Sequence, residues 1–310
     1  MPYFATRLTS SVFTLLFVTV FIFLLIHLIP GDPAQLMLGL HATPERVAQV
    51  RHILGLDVPP HLQYFYFIAN LFHGDLGQSI SYGQPVRDLI LERLPATLFL
   101  VAYSAVLSLV LALPMATIAA LRRDRATDQV IRIVFLVLFS MPSFWIGTIF
   151  LILFSLDLGL FPVAGWGVDF VGHLSSLFLP ALTLSLFQSA LLVRNLRSTV
   201  IDVLDLPYVE FAKMKGLRPF TVFVWHVLRT SLGSTVTILG LNVGNLLTGT
   251  VIVEYVFTVP GTGTLLLGSV FTRDYPIIQA VTLVYALLVI GINVLTDLTY
   301  AALDPRVRLR

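Results

Sequence analysis

Long apolar runs, separated by shorter polar ones, set the pattern of this chain. A helix that crosses a bilayer needs about 20 mostly apolar residues. Six stretches qualify: 8–29, 97–121, 133–155, 174–193, 232–253 and 277–296. The first is longer than the apolar core of a signal peptide and no small-x-small cleavage site follows it, so a retained helix is expected. Pro114 and Pro142 sit inside the second and third stretches and should kink them. Pro180 falls near the start of the fourth, and the fifth is rich in glycine.

The longest polar interval, 30–96, has a pattern of its own. Thr43-Pro44-Glu45 reads as an N-cap, a proline at the first helical position and an acid in the first turn. Val47, Val50 and Leu54 follow at helical spacing, and Gly55 is a suitable C-cap. Residues 62–72 hold Tyr64, Phe65, Tyr66 and Phe67, side chains that favour the membrane–water interface. Two short helices on the outer surface are expected, either as loop packing or as a lid or docking element.

Composition supports the membrane assignment. Hydrophobic residues make up 57% of the 310 and charged residues only 12%, about half the share in soluble domains. The mean hydropathy is +0.90. The formal net charge of +2 conceals an asymmetry. If six helices alternate, one side collects Arg7, Arg122, Arg123, Arg125, Arg132, Arg194, Arg197, Lys213, Lys215, Arg218, Arg229, Arg306, Arg308 and Arg310. The other side keeps Arg273 in a short loop and Arg46, Arg51, Arg87 and Arg93 in the long one, and long loops count little. Both termini are therefore expected in the cytoplasm. Five or seven helices would scatter these charges.

Several chemistries are excluded. The two lysines, Lys213 and Lys215, do not follow glycine, so no phosphate-cradling G-x-x-x-x-G-K-[ST] loop exists. The seven histidines show no metal-binding spacing, and there is no cysteine and no G-x-S-x-G elbow. Gly261-x-Gly263 lacks the flanking strand and acidic residue of a dinucleotide site and reads as a turn. No catalytic residue and no metal site is expected. Glu254 and Asp297 are the acids nearest the apolar stretches, and both lie near helix ends. An ion-coupled secondary transporter or channel acting alone, the alternative function, thus has no evident coupling group.

The most informative polar segment follows the fourth stretch. Pro207 suits a helix start and Gly216 a helix end. A helix over 207–215 would place Tyr208, Phe211, Ala212 and Lys215 on one face. Such a helix either plugs into a groove on a partner or lies on lipid headgroups.

Tyr208-Val-Glu-Phe-Ala-Lys-Met-Lys-Gly216, followed nine residues later by His226-Val-Leu228-Arg229, resembles the E-A-A-x-x-x-G loop of ABC-transporter permeases. More narrowly, it is similar to the first permease of the dipeptide/oligopeptide/nickel importer family. Eight further segments match that family in order: Pro30-Gly31-Asp32-Pro33-Ala34, Leu54-Gly55-Leu56-Asp57, Gly74-Asp75-Leu76-Gly77, Arg93-Leu94-Pro95-Ala96-Thr97-Leu98, Met141-Pro142-Ser143-Phe144-Trp145, 254–263, Arg273-Asp274-Tyr275-Pro276 and Leu303-Asp304-Pro305-Arg306. Phe211 replaces the second alanine of the loop motif, and Ser234 stands where a closing proline is usual.

The resemblance implies an all-α membrane protein with six transmembrane helices and the type I ABC importer permease (MetI-like) fold. Residues 1–95 would form an N-terminal transmembrane helix and a long extracytoplasmic loop, 96–303 the permease core and 304–310 a cytoplasmic tail. The permease would sit in the bacterial inner membrane beside a second homologous permease, two cytoplasmic P-loop ATPases and an extracytoplasmic solute-binding protein. ATP and Mg would bind the ATPases, leaving this chain without cofactor or catalysis. Residues Pro207, Tyr208, Glu210, Phe211, Ala212, Lys215, Gly216, His226 and Arg229 would couple it to the ATPases. Gly240, Asn242, Gly244, Asn245 and Thr248 either line the translocation path or serve helix packing, with Gln188 and Asn293 as weaker candidates. Relatives of this type carry dipeptides, oligopeptides, glutathione, nickel chelates or oligosaccharides, and peptide is the default expectation.

Overall fold

A computed structural model describes residues 2–28, 31–39, 42–53 and 55–303. The expected tail at 304–310, and with it Asp304, Pro305 and Arg306, lies outside the described residues, as do Pro30, Leu54 and the side chains of Arg7, Ser234 and Asp297. The chain runs as helices α1 (Pro2–Leu28), α2 (Pro33–Leu38), α3 (Pro44–Ile53), α4 (Pro60–Phe72), α5 (Val86–Leu121), α6 (Ala126–Ser140), α7 (Ser143–Phe150), α8 (Phe170–Ser176), α9 (Phe178–Leu204), α10 (Pro207–Met214), α11 (Pro219–Thr221), α12 (Arg229–Val256), α13 (Thr262–Thr272) and α14 (Tyr275–Leu303). Two π-helical turns, Leu151–Asp157 and Val222–Leu228, extend α7 and precede α12. Among the described residues the only β pairing is an isolated bridge between Gln78 and Pro85.

Each expected apolar stretch falls on helix, with shifted ends. Val86–Leu121, Phe178–Leu204, Pro219–Gly240 and Tyr275–Thr296 are long and apolar enough to cross a membrane. Residues 8–28 of the first stretch lie within α1, and residue 29 lies outside the described residues. The third differs from expectation: it is two helices, Ala126–Ser140 and Ser143–Asp157, meeting at 101°. The break follows from Pro142, which has no N–H to give and forces its predecessor out of the helical region. Met141 and Pro142 are both extended, at ψ 138° and 133°. The fifth begins earlier than expected, since helical backbone is continuous from Pro219. By contrast α5 passes through Pro95 and Pro114 without interruption.

The chain divides into two compact units. The first comprises Met1–Thr97 with Pro260–Ile290. There α1 and α4 are joined by Thr19 Oγ1 and Tyr64 OH at 3.1 Å and by His27 Nε2 and Gln63 Oε1 at 3.0 Å. Thr43 Oγ1 accepts from Arg46 N, the cap read from sequence, and Gly55 takes φ +65° just beyond α3. The interval 30–96 thus carries α2 in addition to the two helices expected. Asp32 caps α2 through Ala34 N and pairs with Arg51 Nη1 of α3 at 2.6 Å. Deeper in, buried Asp274 accepts from Ser79 Oγ at 2.7 Å and Ser81 N at 2.9 Å, holding the turn after α13 to the segment before α5. Gly261, read as part of a turn, is the N-cap of α13.

The second unit comprises Leu98–Val259 with Gly291–Leu309. Its axis is α9, which packs on α6, α7, α10 and α12. Ala112, Ala116 and Ala120 of α5, spaced by four, present a small-residue face to Leu192, Leu196 and Val200 of α9. Near the loop end of α9, Arg197 grips Asp128 with two parallel hydrogen bonds, Nε to Oδ1 at 2.6 Å and Nη2 to Oδ2 at 2.5 Å. Asp124 N adds a third donor to the carboxylate, and Asp128 is 1% exposed. A buried charge stripped of its partner costs about 3–5 kcal/mol, whereas losing both charges costs less. Arg197→Met should therefore lower the thermal midpoint of the detergent-purified chain sharply. Asp128→Asn/Arg197→Met should recover much of the loss. A double variant as unstable as the single one would show that the pairing is not the cause.

Candidate functional site

Leu206 is extended, Pro207 opens α10, Glu210 lies in its first turn and Lys213 in its last. Lys215 is the C-cap rather than a helical residue, and Gly216 follows at φ +76°. A Cβ at Gly216 would meet nothing within 4 Å, so the glycine serves backbone conformation, not space. The helix has eight residues and is about 12 Å long.

Its two faces differ. Val209 and Ala212 point inward and belong to the same core as Leu196 and Val200 of α9. Ala212 was expected on the outward face; at 5% exposure it belongs to the inward one, where its small side chain admits close packing within the chain itself. Outward lie Phe211, 55% exposed, and Met214, 72% exposed, with Tyr208 beside them. Lys215 Nζ sits 4.8 Å from the centre of the Phe211 ring, a cation–π contact that holds the ring upright. The Tyr208 hydroxyl is shared between the carbonyl of His226 at 3.1 Å and Thr230 Oγ1 at 3.3 Å. His226 thus acts through its backbone, tying α10 to the π-helical turn, while Arg229 is exposed at the start of α12. Val222 and Val227 of that turn are buried in the core that holds Val209. Met214 escaped the sequence reading, although its spacing of three from Phe211 signals it. Exposed Phe220 and Trp225 also went unremarked.

The polar residues of α12 divide similarly. Asn245 Nδ2 donates to Asn242 Oδ1 at 3.0 Å, and Asn242 Nδ2 to the carbonyl of Ile238 at 2.8 Å. Thr248 donates back to Gly244 O. Asn245 and Thr248 are exposed on one face. An amide on the surface of an apolar helix is costly against hydrocarbon, so that face suits water or another protein. Gly240 is different: a Cβ there would run into the Thr296 side chain on α14. That close approach supports the helix-packing alternative for this glycine. Gln188 is fully buried in α9, and neither atom of its amide meets a hydrogen-bond partner among the described residues. On the same helix Ser185 and Ser189, three residues before and one after it, are also buried, and Ser189 Oγ reaches the Ser108 carbonyl of α5 at 3.2 Å. Their spacings of three and four made this seam legible in sequence, yet only Gln188 was singled out.

Comparison with known proteins gives these features a setting. Residues 112–309 match the family described as binding-protein-dependent transport system inner membrane component, and residues 1–101 match its N-terminal part. The chain is 40% identical over 306 residues to a peptide transport system permease protein of Brucella abortus (strain 2308), covering 97% of each chain. It is 38% identical over 308 residues to the glutathione transport system permease protein GsiC of Salmonella choleraesuis, covering 99% of each. Among solved structures, a chain of the inward-facing MetNI methionine ABC transporter superposes with a TM-score of 0.59 at 15% identity, over 70% of this chain and 96% of that one.

The packing role of Gly240 is directly testable. Gly240→Ala should destabilise the purified chain by about 1–3 kcal/mol, and Thr296→Ala should restore part of the loss. Asn245→Ala, on the open face, should leave the thermal midpoint unchanged. Equal effects of Gly240→Ala and Asn245→Ala would contradict this division.

Proposed function

The chain belongs to the family of binding-protein-dependent transport system inner membrane components and is a permease of an ABC importer, and from that premise we propose that its cargo is peptide and that α10 couples it to its ATPases. Relatives named for peptide and glutathione transport support the cargo, glutathione being itself a small peptide. The arrangement proposed is a permease core over 96–303 after an N-terminal helix and loop over 1–95, with the tail 304–310 and both termini in the cytoplasm. A second homologous permease completes the path. Two P-loop ATPases hold ATP and Mg, and an external binding protein delivers cargo, so this chain binds no cofactor and catalyses nothing.

The observation that carries the coupling assignment is the two-sidedness of α10. Phe211 and Met214 project outward, suited to a cleft on a motor subunit, while Val209 and Ala212 are fixed in the core around α9. Closure of the ATPase dimer would carry α10 with it, and α9 would follow as part of one packed body. Glu210 and Lys215 supply polar contacts around the aromatic, and Gly216 turns the chain back. Along the path, Asn242, Asn245, Thr248 and Gly244 offer the polar, open face of α12.

Reconstitution of the full importer in liposomes tests both claims. Phe211→Ala should lower ATP-driven uptake of a dipeptide roughly tenfold or more, as expected for a buried aromatic anchor. Gly216→Asp should abolish uptake with membrane insertion intact. Normal uptake in either variant would remove α10 as the coupling element. Alanine at both Asn242 and Asn245 should reduce uptake; unaltered transport would remove the pathway assignment. Solute movement down an ion gradient by the purified chain without ATPases would overturn the coupling scheme altogether.

A further inference from the structure

Between α6 and α9 lies a cleft of about 460 Å³ lined by none of the residues assigned above to coupling or translocation. Its size is within the roughly 300–1,000 Å³ typical of small-molecule sites. Its chemistry is graded from one end to the other. Arg132 of α6 and Arg194 of α9 line it, and Arg197 borders it. Arg197 is committed to Asp128, and among the described residues neither Arg132 nor Arg194 forms an ion pair. Three guanidiniums against one carboxylate leave a formal surplus of two positive charges. Leu136, Phe139 and Leu191 form apolar walls. Phe139 stacks on Phe187, ring centres 4.7 Å apart. Each phenylalanine is seven residues, about 10 Å of helix, from the arginine of its own helix. The cationic end is the one nearer the loop 122–125 and α10, where basic residues gather.

We propose that this cleft holds an anionic phospholipid of the inner leaflet, its phosphate between Arg132 and Arg194 and its first acyl carbons against Phe139 and Leu136. A charged mouth above an apolar floor is complementary to an amphiphile. Basic pockets between membrane helices on the cytoplasmic side are suited to such headgroups. Arginine also pairs with phosphate bidentately, which lysine cannot. The proposal rests on the membrane orientation inferred from charge and is independent of the coupling role of α10, so either can fail alone.

The test is native mass spectrometry of the full chain, alone and in the assembled importer, released from nanodiscs of equal phosphatidylglycerol and phosphatidylcholine. The unaltered protein should retain phosphatidylglycerol in preference to phosphatidylcholine. Arg132→Gln/Arg194→Gln should lower that retention roughly tenfold or more, and Arg132→Lys/Arg194→Lys, which keeps the charge but loses the bidentate fork, should fall between that variant and the unaltered protein. Equal retention of the two lipids by the unaltered protein would overturn the proposal whether or not a variant folds. So would unchanged retention in the glutamine variant. Displacement by millimolar inorganic phosphate would reassign the cleft to a water-soluble anion. Loss of lipid on assembly, with cross-links from Arg132 or Arg194 positions to the second permease, would reassign it to a protein interface.

Discussion

A bilayer interior offers the backbone no hydrogen-bond partner, and every departure from regular helix must be satisfied from within. Helices account for the membrane-crossing candidates, and hydroxyl side chains along them bond back to their own turns: Ser104 to Leu100, Thr183 to Leu179, Thr235 to Ser231, Ser269 to Leu265. Where the helix does break, the same demand governs the repair. At Met141-Pro142 the carbonyl of Pro142 accepts from Trp145 N and Ile146 N, which closes the first turn of the new helix. Proline thus reorients the chain by 101° there.

Within the second unit that demand meets a second one, which is to carry charge near the end of a buried helix. Helix α9 does so by pairing Arg197 with Asp128 and accepting the Asp124 amide into the same carboxylate. The turn at 122–125, the first turn of α6 and the last turns of α9 become one polar knot. Leu196 and Val200 on either side of Arg197 stand in the core that also receives Val209 and Ala212 of α10. The proposed transmission from α10 to α9 therefore crosses close-packed side chains rather than a flexible linker.

The sequence made much of this legible. Each expected apolar stretch lies on helix because a hydropathic run has one reading in lipid. The cap at Thr43, the left-handed Gly55 and Gly216 and the start at Pro207 were legible because each depends on local backbone preference. What was not legible depends on partners distant in sequence. Pro114 announced a kink as Pro142 did, yet α5 continues through it. Ala212 shares helical spacing with Tyr208 and Phe211, yet which side faced the core depended on α9. Gly240 fits path lining and helix packing alike until Thr296, 56 positions later, is found against it. The hold of Ser79 on Asp274 spans 195 positions and leaves no local signal.

The two faces of α10 answer to different masters. Val209 and Ala212 are constrained by the packing of their own chain, and any change there disturbs the core. Phe211 and Met214 stand outside that core and are largely exposed, with Lys215 against the phenylalanine ring. Mutational drift on the outer face is therefore decoupled from folding and answerable only to whatever docks against it. Under the proposed coupling, a permease built this way would be re-matched to a different motor by a handful of substitutions on one side of one eight-residue helix, without repacking its own core.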